Sequence, residues 1–298
     1  MTPTISLTGL TRRYSDQLAL DDVSVDIEGG AITGLLGRNG AGKTTLMRII
    51  AGQEFPSAGR VQVLGAKPIE NDAILCRMVL IREDQIYPDL NVGQALRVAS
   101  WFYPNWSADL AGALAAEFEL PTNRAIKVLS RGMRTALGIV MGLAARAEVT
   151  LFDEPYAGLD AVARRRFNDL LLAEYAEHPR TLLISTHLID EVADLLERVV
   201  LIDRGRIVLD AAADEIRGSA TMVSGPDAAV ERFIAGRQTW DRRRIAAQVS
   251  VAVAGKLDED DRARASALHL ILEPLSLQEL IIHAAGSAKL ELTQRTIA

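Results

Sequence analysis

The chain of 298 residues holds a single cysteine, Cys76. One cysteine excludes an internal disulfide and any metal site built from several thiolates, and it suits a reducing compartment. Cys76 stands in an apolar stretch and reads as a small core residue. Long apolar runs are also missing. The longest, Leu137 to Ala145, has nine residues and stops at Arg146, against the ~20 that a membrane-spanning helix needs. The opening Met1-Thr-Pro-Thr-Ile-Ser-Leu lacks the basic flank and apolar core of a secretion signal. A basic excess is absent too. Lys+Arg number 33 against 39 Asp+Glu, a net charge of −6, so no nucleic acid is expected as a partner and charge alone does not hold the chain to an anionic membrane. What remains is 49% apolar and 24% charged, which provides a real core and rules out global disorder. The length suggests one large domain plus a smaller one.

The order of apolar runs gives the fold class. Val23, Val25 and Ile27 alternate with polar residues as a strand does. Ala31 to Leu36 is an apolar run of strand length, followed by a glycine-rich turn and a helix from Lys43 to Ala51. Further strands are expected at Ala73–Ile81, Val149–Phe152, Thr181–Ser185 and Val199–Asp203, and helices at Arg164–Glu177 and Leu188–Leu196. Short apolar runs alternating with helices indicate an α/β fold with a mainly parallel sheet. Residues 92–146 carry no strand signal and read as a helical insertion. After about Asp210 the texture changes. Residues 211–298 read as a small α+β appendage with a strand at Thr221–Gly225, a helix at Ala228–Ala235, strands at Val249–Ala254 and Leu268–Leu272 and a helix at Leu277–Ala284, so 1–210 forms the main domain.

Two motifs carry chemistry. Gly37-Arg38-Asn39-Gly40-Ala41-Gly42-Lys43-Thr44 fits the phosphate-binding loop, G-x-x-x-x-G-K-[ST], with Thr45 next, and it sits between a strand and a helix. Its glycines let backbone N–H groups face phosphate oxygens, and the helix N-terminus adds the positive end of its dipole. Lys43 can reach the β- and γ-phosphates, and the Thr44 hydroxyl can ligate Mg²⁺. The second motif is Asp153-Glu154, 110 residues after Lys43 and at the end of a buried strand, where open α/β sheets bind ligands. Asp153 is expected to hold the metal and Glu154 to polarise the attacking water. Alone, the acidic pair could equally be a solvated strand end.

These motifs and four more together resemble the ABC ATPase family, the ATP-binding subunits of ABC transporters, over about residues 1–210. Leu129-Ser130-Arg131-Gly132-Met133 resembles the family signature, with Arg131 where a glycine is usual and Met133 where a glutamine is. The resemblance implies that Ser130 and Gly132 complete the site of a second subunit in a head-to-tail dimer, homo- or heteromeric. Ala157-Gly158-Leu159-Asp160 resembles the D-loop, and Asp160 can also cap the following helix. Ser185-Thr186-His187 resembles the segment of the switch histidine, which places His187 at the γ-phosphate. Tyr14 stands where the family stacks adenine on an aromatic ring; core filling is its alternative. In the glutamine-loop segment Val79 to Leu90, Arg82 takes the usual glutamine position and Gln85 follows three residues later. Arginine offers no acceptor to a metal, so Gln85 is expected there. Trp101-Phe-Tyr-Pro-Asn-Trp106 reads as core packing or as a surface that receives a membrane partner, and Asp241-Arg-Arg-Arg244 as a solvated face.

The resemblance implies a P-loop ATPase using ATP and Mg²⁺. It would drive a separately encoded membrane permease, in the export direction by likeness to ABC-2-type subunits, from the cytoplasmic face of the membrane. A soluble ABC ATPase acting on ribosomes or DNA is the alternative. Against it stand the single cassette, the absence of a long coiled-coil insertion and the acidic charge balance.

Overall fold

The structure is a computed structural model that describes residues 3–283. The chain divides between Asp210 and Ala211, near the end of its ninth strand, into two compact units. The first runs β1 (Ile5–Tyr14), β2 (Gln17–Ile27), β3 (Ile32–Leu36), α1 (Lys43–Ile50), β4 (Ala58–Val63), α2 (Asp72–Leu75), β5 (Met78–Arg82), α3 (Val92–Ala99), α4 (Ala108–Glu117), a 3-10 turn at Ile126–Val128, α5 (Arg131–Ala144), β6 (Val149–Asp153), α6 (Ala161–Glu177), β7 (Thr181–Thr186), α7 (Ile189–Val192), β8 (Arg198–Asp203) and β9 (Arg206–Ala212). The second contains α8 (Ala213–Ile216), β10 (Ala220–Pro226), α9 (Asp227–Ile234), β11 (Thr239–Ile245), β12 (Gln248–Ala254), α10 (Glu259–Ala267) and β13 (Ile271–Pro274).

The six-stranded sheet of the first unit has the order β5-β6-β7-β3-β8-β9. The pairs β5–β6, β6–β7, β3–β7 and β3–β8 are all parallel. Every residue of β3, β6 and β7 is buried. A parallel sheet covered on both faces requires this, which is why these strands read as unbroken apolar runs. A separate antiparallel sheet, β2-β1-β4, adds its inward residues Ile5, Leu7, Leu10, Val23 and Val25 to one core with Leu46, Met47, Ile49 and Ile50 of α1. Residues 92–146 are helical as expected, with α3 closed by a capping box at Asn91 and Gln94 and α4 capped by Ser107.

Several expectations shift. Ala73–Ile81 is not one strand: α2 comes first, then a turn, and β5 begins only at Met78. The Leu188–Leu196 helix shrinks to the four residues of α7, although Val192, Leu195 and Leu196 are core residues as their spacing suggests. Strand β4 gave no clear signal because its first three residues, Ala58, Gly59 and Arg60, are exposed.

The second unit is an antiparallel sheet, β11-β12-β10-β13, whose core gathers Val223, Val249, Val251 and Val253 with Val230 and Phe233 of α9 and Ala265 of α10. Sequence reading missed β11 and α10. The first is an edge strand with almost no buried residue, and the second buries only Ala265, so neither shows an apolar period. The expected strand Leu268–Leu272 begins at Ile271, and the expected helix Leu277–Ala284 is helical through His283, its last residue, Ala284, lying outside the described residues.

Candidate active site

Register places the site. Leu36 at the end of β3 pairs with Thr186 at the end of β7. Asp153 at the end of β6 pairs with Ser185 of β7 and with Arg82 of β5. The segments opening at Gly37, Glu154 and His187 therefore leave neighbouring strands at one edge of the sheet. An α/β sheet opens a binding crevice at this carboxyl edge. An edge-to-face cluster of Phe152, Phe167 and Tyr156, with ring centroids 5.5 Å apart in each contact, fixes the turn behind the acidic pair.

The cleft has a volume of about 740 Å³. Of the predicted residues, Tyr14, Asn39, Gly40, Gly42, Lys43, Thr44, Thr45, Glu154 and His187 line it. Gly37, Arg38 and Ala41 complete the loop behind them. Gly42 takes φ 110 at the N-cap of α1, and a Cβ there would lie 2.6 Å from the Ala19 carbonyl oxygen. Only glycine satisfies both conditions. No side chain caps α1, so its first N–H groups stay available to an anion.

Lys43 is buried at 5% exposure. Its Nζ donates to the Gly37 carbonyl at 2.7 Å and the Arg38 carbonyl at 3.3 Å, and lies 3.2 Å from Glu154 Oε1. The other Glu154 oxygen is 2.9 Å from His187 Nδ1. Glu154 thus bridges the loop lysine and the histidine. Its backbone is left-handed, φ 52, and its N–H donates to the Ser185 carbonyl at 3.0 Å, a strained geometry of the kind found at functional sites.

Asp153 lies beneath the cleft at 5% exposure and accepts a hydrogen bond from Ser185 Oγ. Burial raises its pKa, while hydrogen bonds from Ser185 and Thr44 pull the other way. A buried carboxylate facing a threonine hydroxyl is a pair of hard oxygen donors, and this chemistry fits Mg²⁺. Thr44 and Asp153 are the residues that would hold it.

Gln85, expected at the metal, does not line the cleft. Its Oε1 accepts from the Arg82 N–H at 3.5 Å, within its own turn. Arg82 turns to Asp84 at 3.4 Å. Glu83 is the residue of this turn that enters the cleft. No motif in the sequence marks Glu83; only the turn that follows β5 brings it there.

Ser130 caps α5 through Met133 N at 3.2 Å, and Asp160 caps α6 through Ala163 N at 2.8 Å. Neither lines this chain's cleft, and Gly132 does not either. Gly132 instead fits against the D-loop segment: a Cβ there would lie 2.6 Å from the Gly158 carbonyl oxygen. Arg131 does line the cleft, as do Ala157 and Gly158 of the segment that resembles the D-loop; Gln17, Ala19, Tyr156, Arg164 and Leu188 join them without any signal in the sequence. Tyr14 is 38% exposed, so it is not core filler. Its hydroxyl donates to Glu54, and the Arg12 guanidinium lies 4.5 Å from its ring centroid. Trp101 and Phe102 are 73% and 64% exposed, which removes the core reading for both. Arg242, Arg243 and Arg244 are exposed on β11 as expected and pair with Asp227, Glu231 and Asp241.

Comparison with known proteins agrees with this geometry. Residues 20–157 match the ABC transporter family. An aliphatic sulfonates import ATP-binding protein of Nocardia farcinica is 34% identical over 212 residues, covering 70% of this chain and 81% of that protein. A Nod factor export ATP-binding protein of Ralstonia nicotianae is 32% identical over 223 residues, covering 72% of this chain and 69% of that one. The solved structure of an ATP-binding subunit of an ABC transporter superposes with a TM-score of 0.64 at 25% identity, over 72% of this chain and 91% of that one. A phosphate loop, an acidic strand end and a histidine meeting at one sheet edge, in a chain with these relatives, identify it as a member of the ABC transporter family and as one of that family's ATP-binding, ATP-hydrolysing subunits.

Proposed function

We propose that this chain is the motor of an ABC transporter, converting ATP hydrolysis into movement of a separately encoded membrane permease. The observation that carries the reading is Glu154 held between Lys43 and His187 at the mouth of the phosphate loop. A triphosphate in the loop is cradled by the N–H groups of α1 and by Lys43. The anion draws Lys43 away from Glu154 and leaves that carboxylate to orient and polarise water at the γ-phosphate. His187, anchored through Nδ1, contacts the same phosphoryl group. Mg²⁺, when bound at Thr44 and Asp153, neutralises charge developing on the phosphate oxygens. Tyr14, tethered by Glu54, presents its ring to the adenine base.

Among the described residues no helix is long and apolar enough to cross a membrane, and we place the translocation path in the permease. Trp101, Phe102 and Ile86, the last 91% exposed, supply an apolar surface for that partner. Ser130 and Gly132 stay outside their own chain's cleft, which supports service to a second ATPase subunit in a homo- or heterodimer. The motor then sits peripherally on the cytoplasmic face of the membrane. The cassette residues do not separate import from export, since the named relatives include both. The reading of export rests on the likeness of residues 211–298 to appendages of export subunits.

Purification from membranes of cells that express the chain tests the proposal. Recovery with an integral membrane protein, in a complex whose ATP turnover rises over that of the chain alone, is the expected result. Recovery only with ribosomes or DNA overturns it.

A further inference from the structure

Each lysine and arginine side chain that lines the cleft faces a carboxylate. Lys43 faces Glu154 at 3.2 Å, Arg164 faces Glu191 at 2.6 Å, and Arg131 is paired with Glu83. The three pairs differ in how firmly they are held. Lys43 is 5% exposed, and two carbonyls fix it in place. Arg164 also donates to the Leu159 carbonyl, and Glu191 lies outside the cleft. Arg131 and Glu83 both line the cleft, yet their side chains are 62% and 38% exposed. An ion pair this exposed is weak. The Arg131 stem lies against Gly158, where an added Cβ would meet its Cγ at 2.9 Å. The guanidinium is thus carried on a supported arm with a loosely held head. Glu83 follows the end of β5, whose last residue, Arg82, pairs with Asp153, so its place is tied to the metal-side carboxylate through the sheet.

We propose that Glu83 holds Arg131 in reserve, and that the terminal phosphate of a nucleoside triphosphate displaces Glu83 and takes the Arg131 guanidinium. The inference rests on the ATP-binding reading above. A guanidinium makes paired, charge-assisted hydrogen bonds to phosphate oxygens, and these outweigh a solvent-exposed pair with one carboxylate. Glu83 is a positioning residue in this scheme and Arg131 a phosphate-binding one. The phosphate belongs to nucleotide in the same chain or in a second copy, and the chemistry is the same for both.

The test measures binding of a non-hydrolysable ATP analogue and of ADP to the full chain, to Glu83→Gln, to Arg131→Gln and to the double variant. Glu83→Gln removes the competitor, so the analogue binds about 2- to 5-fold more tightly, the scale of a released surface ion pair, while ADP affinity is unchanged. Arg131→Gln weakens the analogue and leaves ADP unchanged. In the double variant, Glu83→Gln no longer tightens binding. A gain independent of protein concentration assigns the phosphate to the same chain, and a gain that grows with concentration assigns it to a second copy; both support the proposal. Equal tightening of the analogue and ADP, equal tightening with and without Arg131, or no change in any variant overturns it. Failure of the unaltered chain to bind either nucleotide would instead sink the ATP-binding reading. Both positions are exposed, and a thermal unfolding curve for each variant confirms that the fold persists.

Discussion

The two units spend their side chains differently. In the first, three adjacent strands are buried along their whole length and lead into segments that carry the site's polar groups, the buried Lys43 and the half-buried Glu154, with His187 at the exposed mouth. In the second, the edge strand β11 is almost wholly exposed and its arginines pair with acids on the same surface. The contrast is between charge held against desolvation for chemistry and charge left in water for solubility. Groups of the first kind are costly to the fold and specific in position. Those of the second kind tolerate exchange.

The largest expected effect would break this contrast if it failed. Glu154→Gln should lower ATP turnover by about 10²- to 10⁴-fold, the loss of a positioned base. Arg243→Ala on β11 should leave turnover within about 2-fold, as surface substitutions do. Parallel steady-state ATPase assays check both. A comparable loss in the β11 variant would show that the second unit takes part in the chemistry.

The same contrast explains what the sequence made legible. The central strands, the phosphate loop and the acidic pair were readable because burial on both faces forces continuous apolar runs, and because phosphate chemistry needs particular residues at fixed spacing. Strand β11 and helix α10 were not, since Trp240 to Ile245 and Glu259 to Ala267 bury too little to carry a period. At the site the two departures differ in kind. The acceptor oxygen of Gln85 turns to a backbone N–H three residues away in its own turn, a local contact. Arg131 stood out as a departure from the family signature, yet its partner Glu83 lies 48 residues away. No local pattern joins them; only the fold does.

A smaller effect sharpens the idea of chemistry held against stability. Asp153 has a raised pKa because burial penalises its charge. Folding therefore makes this carboxyl bind its proton more tightly than it does in the unfolded chain. The chain's stability is highest, as far as this group is concerned, below the unfolded carboxylate range, and it falls as pH rises through the raised folded value. Asp153→Asn removes the charge while Ser185 and Thr44, whose hydroxyls donate or accept, can still bond to the amide. The variant should melt about 2–4 °C higher than the unaltered chain near neutral pH, corresponding to about 1 kcal/mol, with the gap closing in acid. Mg²⁺ and nucleotide together should then raise the unaltered chain's Tm and barely move that of the variant. Scanning calorimetry at several pH values checks all three statements. A lower Tm for the variant would mean that Asp153 stabilises the fold and does not burden it.

The smallest effect belongs to the second unit and has the opposite pH sense. His283 stacks on Trp240, ring centroids 3.7 Å apart and planes 8° from parallel. Burial lowers its pKa from the ordinary value of 6.5. The folded unit therefore prefers neutral imidazole, and above the unfolded value the stack costs nothing in protonation. As pH falls below about 6.5 the unfolded chain gains a proton that the folded one resists, so stability declines down to the lowered folded value. With Trp101 and Trp106 replaced by Phe, so that Trp240 alone emits, thermal unfolding followed at pH 7.5 and 5.5 should show the second unit's midpoint falling in acid. His283→Phe retains an aromatic face and removes the titration, so it should flatten that dependence without altering nucleotide binding by the first unit. If the substitution changed ATP affinity, the two units would be coupled through this ring stack, and the division between chemistry and solubility would no longer follow the boundary at Asp210.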